Sequence, residues 1–224
     1  MKKKTQELIN LITVCNIIII IIFIYNIIIN NIYSEKNIYK LIQKNINCNN
    51  YVLEKNEKII DTGTENKVKI VQKKDARMED DVSDGVTKWY IDNLIIKKNK
   101  NDKVYYKQKK EDENQYITTQ EMLKYLTLAN EFQCYNHIEN CEKYKYLKNE
   151  KFNNKKCVVV RFDNIIDGHD AIIWIDCDTG FILKEELYLK DKLETITTYS
   201  IKTNVVSDEK LDIPNLQEYT YIES

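Results

Sequence analysis

The pattern C-x-x-H-x-x-x-C in "CYNHIENC", which holds Cys134, His137 and Cys141, is where residue types and spacing come nearest to a reaction centre, since thiolates and an imidazole at helical spacing are zinc ligands. Only three ligands stand there and no CxxC accompanies them, so a closed tetrahedral site lacks its fourth member and no metal is expected. His169, in "DNIIDGHDA", is the other of the two histidines. A Cys-His or Ser-His-Asp arrangement has little to draw on, and His169 reads as a solvated loop residue. The acids Glu79, Asp80, Asp81 and Asp84 lack the spacing of a calcium loop and read as a solvated loop as well. No glycine-rich phosphate cradle exists. Neither covalent chemistry nor a cofactor is expected.

The strongest physical signal is the run "LINLITVCNIIIIIIFIYNIIINNIY", Leu8 to Tyr33. About 25 helical residues at roughly 1.5 Å each reach about 37 Å, enough to cross a bilayer core. Asn10, Asn16, Asn26 and Asn30 interrupt it, but the Ile-rich centre from Ile17 to Ile29 carries no charge. A transmembrane anchor is the expectation, against a buried core helix. Lys2, Lys3 and Lys4 on a very short tail hold the N-terminus in the cytoplasm and send the domain outside, while Lys36, Lys40 and Lys44 pull the other way. A cleaved signal is the competing reading, with Ser34 before the cut, but Ile32 is a poor small residue two places earlier. Cys15 follows Val14 and precedes most of the apolar run, the wrong order for lipid modification, and reads as membrane-buried and inert.

Residues 1–34 are therefore tail and anchor, and 35–224 one extracytoplasmic domain. The chain has 224 residues, which leaves about 190 for folding, one sizeable domain with its own core. Without Lys2, Lys3, Lys4 and Glu7 the remainder carries 31 basic and 34 acidic side chains, a balance of −3 that is no footprint for nucleic acid.

After the anchor, Ile38, Leu41, Ile42 and Ile46 fall on one helical face, so the membrane helix continues as an amphipathic segment that docks on the domain. From Tyr51 to Lys110 short alternating runs ("YVLEKNEKII", "NKVKIVQKK", "VTKWYIDN", "KVYYKQKK") are broken by turns near Gly63, Gly85 and "KNKND" and read as antiparallel strands. The tip "KKNKNDK" is a charged hairpin end, with contact to anionic lipid or wall polymer as the alternative. "TTQEMLKYLTLANEF" switches to helical spacing, with Met122, Tyr125, Leu126, Ala129 and Phe132 in one stripe and Thr118 with Glu121 as a capping box. Strands then return to the end, and Leu193, Thr197, Tyr199, Ile201 and Val205 share a face. The expected class is α+β: one large curved antiparallel sheet, a half-barrel, with the helical insert covering one face, preceded by one transmembrane helix.

Within the last strands, "WIDCDTGFILKEE" is a β-hairpin in which Asp178, Thr179 and Gly180 supply the turn. This stretch, a long alternating strand, and then "NVVSDEKLDIP" resemble the C-terminal signature of the LolA-like superfamily, the lipoprotein-carrier fold and its lipid-binding relatives. The matching positions are Trp174, Asp176, Thr179, Gly180, Lys184 and Glu186, then Asn204, Asp208, Leu211, Ile213 and Pro214. Leu211 stands where a Phe is common in the family, and an anchor replaces the usual cleaved signal or lipid-modified cysteine. The resemblance covers about the last fifty residues. It implies a half-barrel whose concave face, lidded by helices, forms an apolar cavity for acyl chains or a hydrophobic partner segment.

"CVVVRFD" and "AIIWIDC" are apolar on both faces, so the sheet there is covered on both sides or lines a cavity. One register sets Val158, Val160 and Phe162 beside Ile172 and Trp174, and these with Trp89 are the candidate ligand residues; plain core packing explains the pattern equally well. The same register puts Cys157 opposite Cys177, the preferred disulfide among Cys48, Cys134, Cys141, Cys157 and Cys177, with other connectivities open. Cys134 and Cys141 on a continuous helix would stand about 10 Å apart along the axis, too far to bond. The sequence reads as a membrane-anchored extracytoplasmic module that binds a lipid, a lipidated protein or a hydrophobic segment; the alternative is an envelope regulatory or scaffold module that binds another protein through the same sheet.

Overall fold

The computed structural model describes residues 2–44, 48–73, 76–108, 123, 128–132, 134–207, 211 and 213–223. They divide into two compact units, residues 1–40 and 41–224. The first contains helix α1, Lys2–Ile32. Its stretch Leu11–Ile29, 19 residues at a mean hydropathy of 2.8, is long and apolar enough to cross a membrane. The side chains from Leu11 to Ile28 are all exposed. The expected continuous extension is instead two helices. Ser34 interrupts the chain, and its carbonyl accepts the amides of Asn37 and Ile38 at the start of α2, Glu35–Gln43.

In the second unit twelve strands form a single sheet. They are β1 Tyr51–Ile59, β2 Glu65–Lys73, β3 Ala76–Asp81, β4 Val86–Ile91, β5 Leu94–Lys98, β6 Lys103–Tyr106, β7 Lys143–Phe152, β8 Lys155–Ile166, β9 His169–Asp176, β10 Ile182–Leu189, β11 Lys192–Thr203 and β12 Thr220–Tyr221. The order across the sheet is β12-β6-β5-β4-β3-β2-β1-β11-β10-β9-β8-β7. Every pairing is antiparallel except the short parallel pairing of β12 with β6. Tight hairpins explain this order. Asn153-Asn154, Asp167-Gly168 and Lys190-Asp191 each hold two successive residues at positive φ, the geometry whose twist matches that of the flanking strands. The acids Glu79, Asp80 and Asp81, read from sequence as a solvated loop, belong to strand β3; their charge masks the alternation that marks a strand.

Because side chains alternate, the registers assign each residue to a face. One face carries Val158, Val160 and Phe162 of β8, Ile173 of β9, Glu185 of β10, Thr197 and Tyr199 of β11, Leu53 and Lys55 of β1, Val68 and Ile70 of β2, and Arg77 and Glu79 of β3. The sheet curls toward this face. Asn153, at the tip of the β7–β8 hairpin, borders the same cavity as Val68 of β2, although β8 stands three strands from β11 and β2 lies beyond β1.

The insert lies on this concave face. A short helix, Leu128–Glu131, and a 3₁₀ helix, Tyr135–Asn140, bring Leu128, Phe132, Cys134 and Ile138 into the interior, and Phe132 meets Tyr199 edge to face with ring centroids 4.9 Å apart. Of the expected helical stripe, Met122, Tyr125 and Leu126 lie outside the described residues, as do the capping pair Thr118 and Glu121. The opposite face carries a smaller core of Val71, Ala76, Val206 and Leu211, against which Val52, Met78 and Ile91 pack. Asn50 staples this closing segment by donating to the Val206 carbonyl at 3.2 Å and accepting the Val206 amide at 3.0 Å.

Candidate binding cleft and the signature turn

The six candidate ligand residues do not share a site. Strand β8 pairs with β9 so that Val158 faces Ile175, Val159 faces Trp174, Val160 faces Ile173 and Phe162 faces Ala171. This is one residue away from the register read in sequence, and a one-residue slip exchanges faces. Val158, Val160 and Phe162 therefore lie on the concave face, and Ile172 and Trp174 on the other. Trp89 is also on the convex side, where its indole donates to the Leu211 carbonyl at 3.2 Å in the smaller core. Trp174 packs under the Lys184 ammonium, 4.2 Å from its ring centroid, and its indole donates to Glu150. The slip removes the predicted disulfide too: Asp176 stands opposite Cys157, and Cys157 and Cys177 are free thiols.

A cleft of about 370 Å³ lies over the middle strands. Tyr199, Lys55 and Val68, successive cross-strand partners on β11, β1 and β2, run through its middle, between the rows Glu54, Lys69, Ser200 and Asn56, Lys67, Thr198, whose side chains alternate to the face opposite the insert. Val82 and Asn153, from two hairpin turns, form its walls, and the lining is largely apolar. Of these positions the sequence singles out Tyr199 alone, on the shared face of the long alternating strand.

Two polar contacts fasten the insert to the concave face. Arg77 is only 2% exposed, and its guanidinium donates to Glu131 of the short helix at 2.6 Å, to Glu79 at 3.4 Å and to Gln72 at 3.1 Å. Burial alone would lower its pKa, but the carboxylates of Glu131 and Glu79 and the Tyr51 hydroxyl beside it raise it. Burial pushes the Tyr51 phenol well above its usual range, so it stays neutral. Further along, Glu185 is 1% exposed and accepts from the Cys134 thiol at 3.0 Å and from the Tyr199 hydroxyl at 2.7 Å. Burial raises the pKa of Glu185 against the opposing pull of these hydrogen bonds, and burial together with the Glu185 charge raises that of Cys134. Among the described residues no group of three or more His, Cys, Asp or Glu could hold a metal ion.

The signature turn has a structural explanation. The Asp176 carboxylate accepts from the Asp178 amide at 3.1 Å, the Thr179 hydroxyl at 2.7 Å and the Lys155 ammonium at 2.8 Å. Burial raises its pKa, but these donors outweigh burial and hold it below its ordinary value. Gly180 takes φ +77°, and a Cβ there would lie 1.8 Å from the Leu41 carbonyl oxygen at the end of α2. Lys44 adds a bond from its ammonium to the Asp178 carbonyl at 3.0 Å. The turn is thus the seat for residues 41–44. Lys184 and Glu186 pair at 2.6 Å beside Trp174. Asn204, at φ +57°, ends β11 and donates its amide to the Asn50 carbonyl at 2.8 Å. Leu211 is buried, Pro214 half-buried and Ile213 exposed, and Asp208 lies outside the described residues.

No family model matches the chain, and no curated protein does. Among solved structures the fold is similar to that of an uncharacterized conserved protein from Thermus thermophilus, with 7% identity over 85% of this chain and 99% of that one and a TM-score of 0.50. MucB, in a crystal structure with MucA(peri), aligns at 12% identity over 81% of this chain and a TM-score of 0.46, and the chain spans 60% of its length. Lipoprotein LppX of Mycobacterium tuberculosis aligns at 10% identity over 78% of this chain and 99% of that one, with a TM-score of 0.45. At 7% identity the likeness to the Thermus thermophilus protein is one of fold alone.

Proposed function

We propose that the protein is a membrane-tethered binding module that holds a lipid or lipidated segment in its cleft and does no covalent chemistry. The observation that carries this reading is the cleft itself: about 370 Å³ of largely apolar space over the middle strands of the sheet, bordered by residues of two hairpin turns. An apolar ligand entering it gains from the area it removes from water, at about 25 cal/mol per Å². The exposed apolar helix Leu11–Ile29 serves as anchor, with the N-terminus cytoplasmic and the domain extracytoplasmic. Capture of a protein partner on the same sheet is the second reading, favoured by the extent to which Phe132, Cys134 and Ile138 already fill the concave face.

Native mass spectrometry with solvent extraction of the full chain tests the first reading. Co-purifying lipid that is lost when Thr198→Glu puts a new charge on the cleft lining supports it, provided the variant unfolds with the wild-type profile. A lipid-free mass with no uptake from vesicles overturns it and leaves the protein-partner reading.

A further inference from the structure

Within the membrane-crossing stretch Leu11–Ile29, two positions carry a carboxamide, Asn16 and Asn26. Counted from Ile20 at about 1.5 Å per residue, they stand about 6 and about 9 Å from the middle of the stretch, inside a hydrocarbon core whose half-thickness is about 15 Å. Both side chains are exposed, and neither makes a hydrogen bond among the described residues. A carboxamide in hydrocarbon loses the partners that water supplied, so it stays costly until another polar group meets it.

The turn of the helix puts both amides on one side. At about 100° per residue, Asn16, Phe23 and the position of Asn30 recur every seven residues, and Ile12, Ile19 and Asn26 form the alternate row, all within an arc of about 80°. Val14, Ile18, Ile21 and Ile28 occupy the opposite side. Asn10, off this arc, precedes the apolar stretch. A seam that repeats every seven residues is the geometry of two helices crossing at about +20°, the commonest arrangement in membrane bundles.

We infer that α1 pairs with α1 of a second copy of this chain along this seam, Asn16 against Asn16 and Asn26 against Asn26. The occupant is a second copy because the unmet groups are self-complementary: a carboxamide both donates and accepts, so two of them at one depth satisfy each other. Copies inserted by one charge rule share one orientation, so their helices run parallel and like residues meet. The inference rests on the proposed anchor reading of α1 and not on what the cleft holds.

Sedimentation equilibrium of the full chain in density-matched detergent micelles tests this, after an alkaline carbonate wash of the membranes and an intact mass measurement. A retained, full-length dimer is expected. Asn16→Leu with Asn26→Leu should weaken it at least about tenfold, while Val14→Leu with Ile21→Leu, on the opposite side, leaves it unchanged. Leucine keeps each position apolar, so the variants insert as the wild type does. A chain released by the wash, or a mass that lacks residues 1–34, overturns the anchor and the pairing with it. A full-length chain that stays monomeric as the protein-to-detergent ratio rises, or a dimer that the two double variants weaken equally or not at all, overturns the asparagine seam and leaves the anchor standing.

Discussion

Replacing Gly180 by Ala isolates the most sharply defined contact in the fold. Two costs apply. A side chain at φ +77° brings Cβ against the following carbonyl, worth about 1–2 kcal/mol. The same Cβ would also lie 1.8 Å from the Leu41 carbonyl oxygen, and backbone, unlike a flexible side chain, yields only by moving the end of α2. Overpacking of this kind costs about 1–3 kcal/mol. Gly63 and Gly85 are internal controls, since they hold φ +68° and +66° with nothing within 4 Å of the added atom, and Ala there incurs the first cost only.

Urea unfolding of the full chain in mild detergent, followed by the fluorescence of Trp89 and Trp174, separates the two costs. With a slope of about 2 kcal/mol per M, Gly63→Ala lowers the midpoint by about 0.5–1 M and Gly180→Ala by about 1–2.5 M. Gly180→Ala also speeds amide exchange of residues 41–44. Equal midpoints for the two variants would refute the claim that the turn seats this segment.

Asp176→Asn removes the charge that Lys155 binds and costs about 1–3 kcal/mol at pH 7; because the folded-state pKa is lowered, the wild-type advantage is present above the ordinary carboxylate range and vanishes as pH falls through the depressed value, which urea midpoints across acidic pH check. Glu185 has the opposite sign: its folded-state pKa is raised, so its contribution is fully present below the ordinary carboxylate pKa and is lost as pH rises through the folded value. Glu185→Gln should therefore flatten the decline in stability as pH rises above the ordinary carboxylate range, read by the same midpoints. Glu131→Gln leaves buried Arg77 with weaker acceptors and costs about 1–3 kcal/mol, and hydrogen exchange should show faster amides over residues 134–140 than in Lys192→Gln, which breaks the exposed pair with Asp61.

The class of the fold was legible because its signals are local. Period-two alternation, two-residue turns such as Asn153-Asn154 and the Asp178-Thr179-Gly180 turn each act over a few residues, and each appears in the structure where the sequence placed it. Strand β3 was illegible because "ARMEDD" has lost the apolar half of its alternation: Arg77, Glu79 and Asp81 turn inward, to be satisfied by Glu131, Gln72 and the turn amides. Those partners come from other strands and from the insert, and no local pattern announces them.

The register of β8 against β9 was misread for a different reason. "CVVVRFD" and "AIIWIDC" carry apolar residues on both phases, so two registers one residue apart bury many of the same side chains. What separates them lies outside the runs. With Asp176 opposite Cys157, the Lys155 ammonium reaches the Asp176 carboxylate, and the Cys177 amide reaches the Lys156 carbonyl at 2.9 Å. The register read in sequence moves Asp176 to the other face of the sheet, away from Lys155, and leaves a carboxylate that is now 2% exposed without its cation. Polar residues at the ends of the apolar runs therefore choose between alternatives that hydrophobicity leaves equal, and they decide which side chains share a face of the sheet.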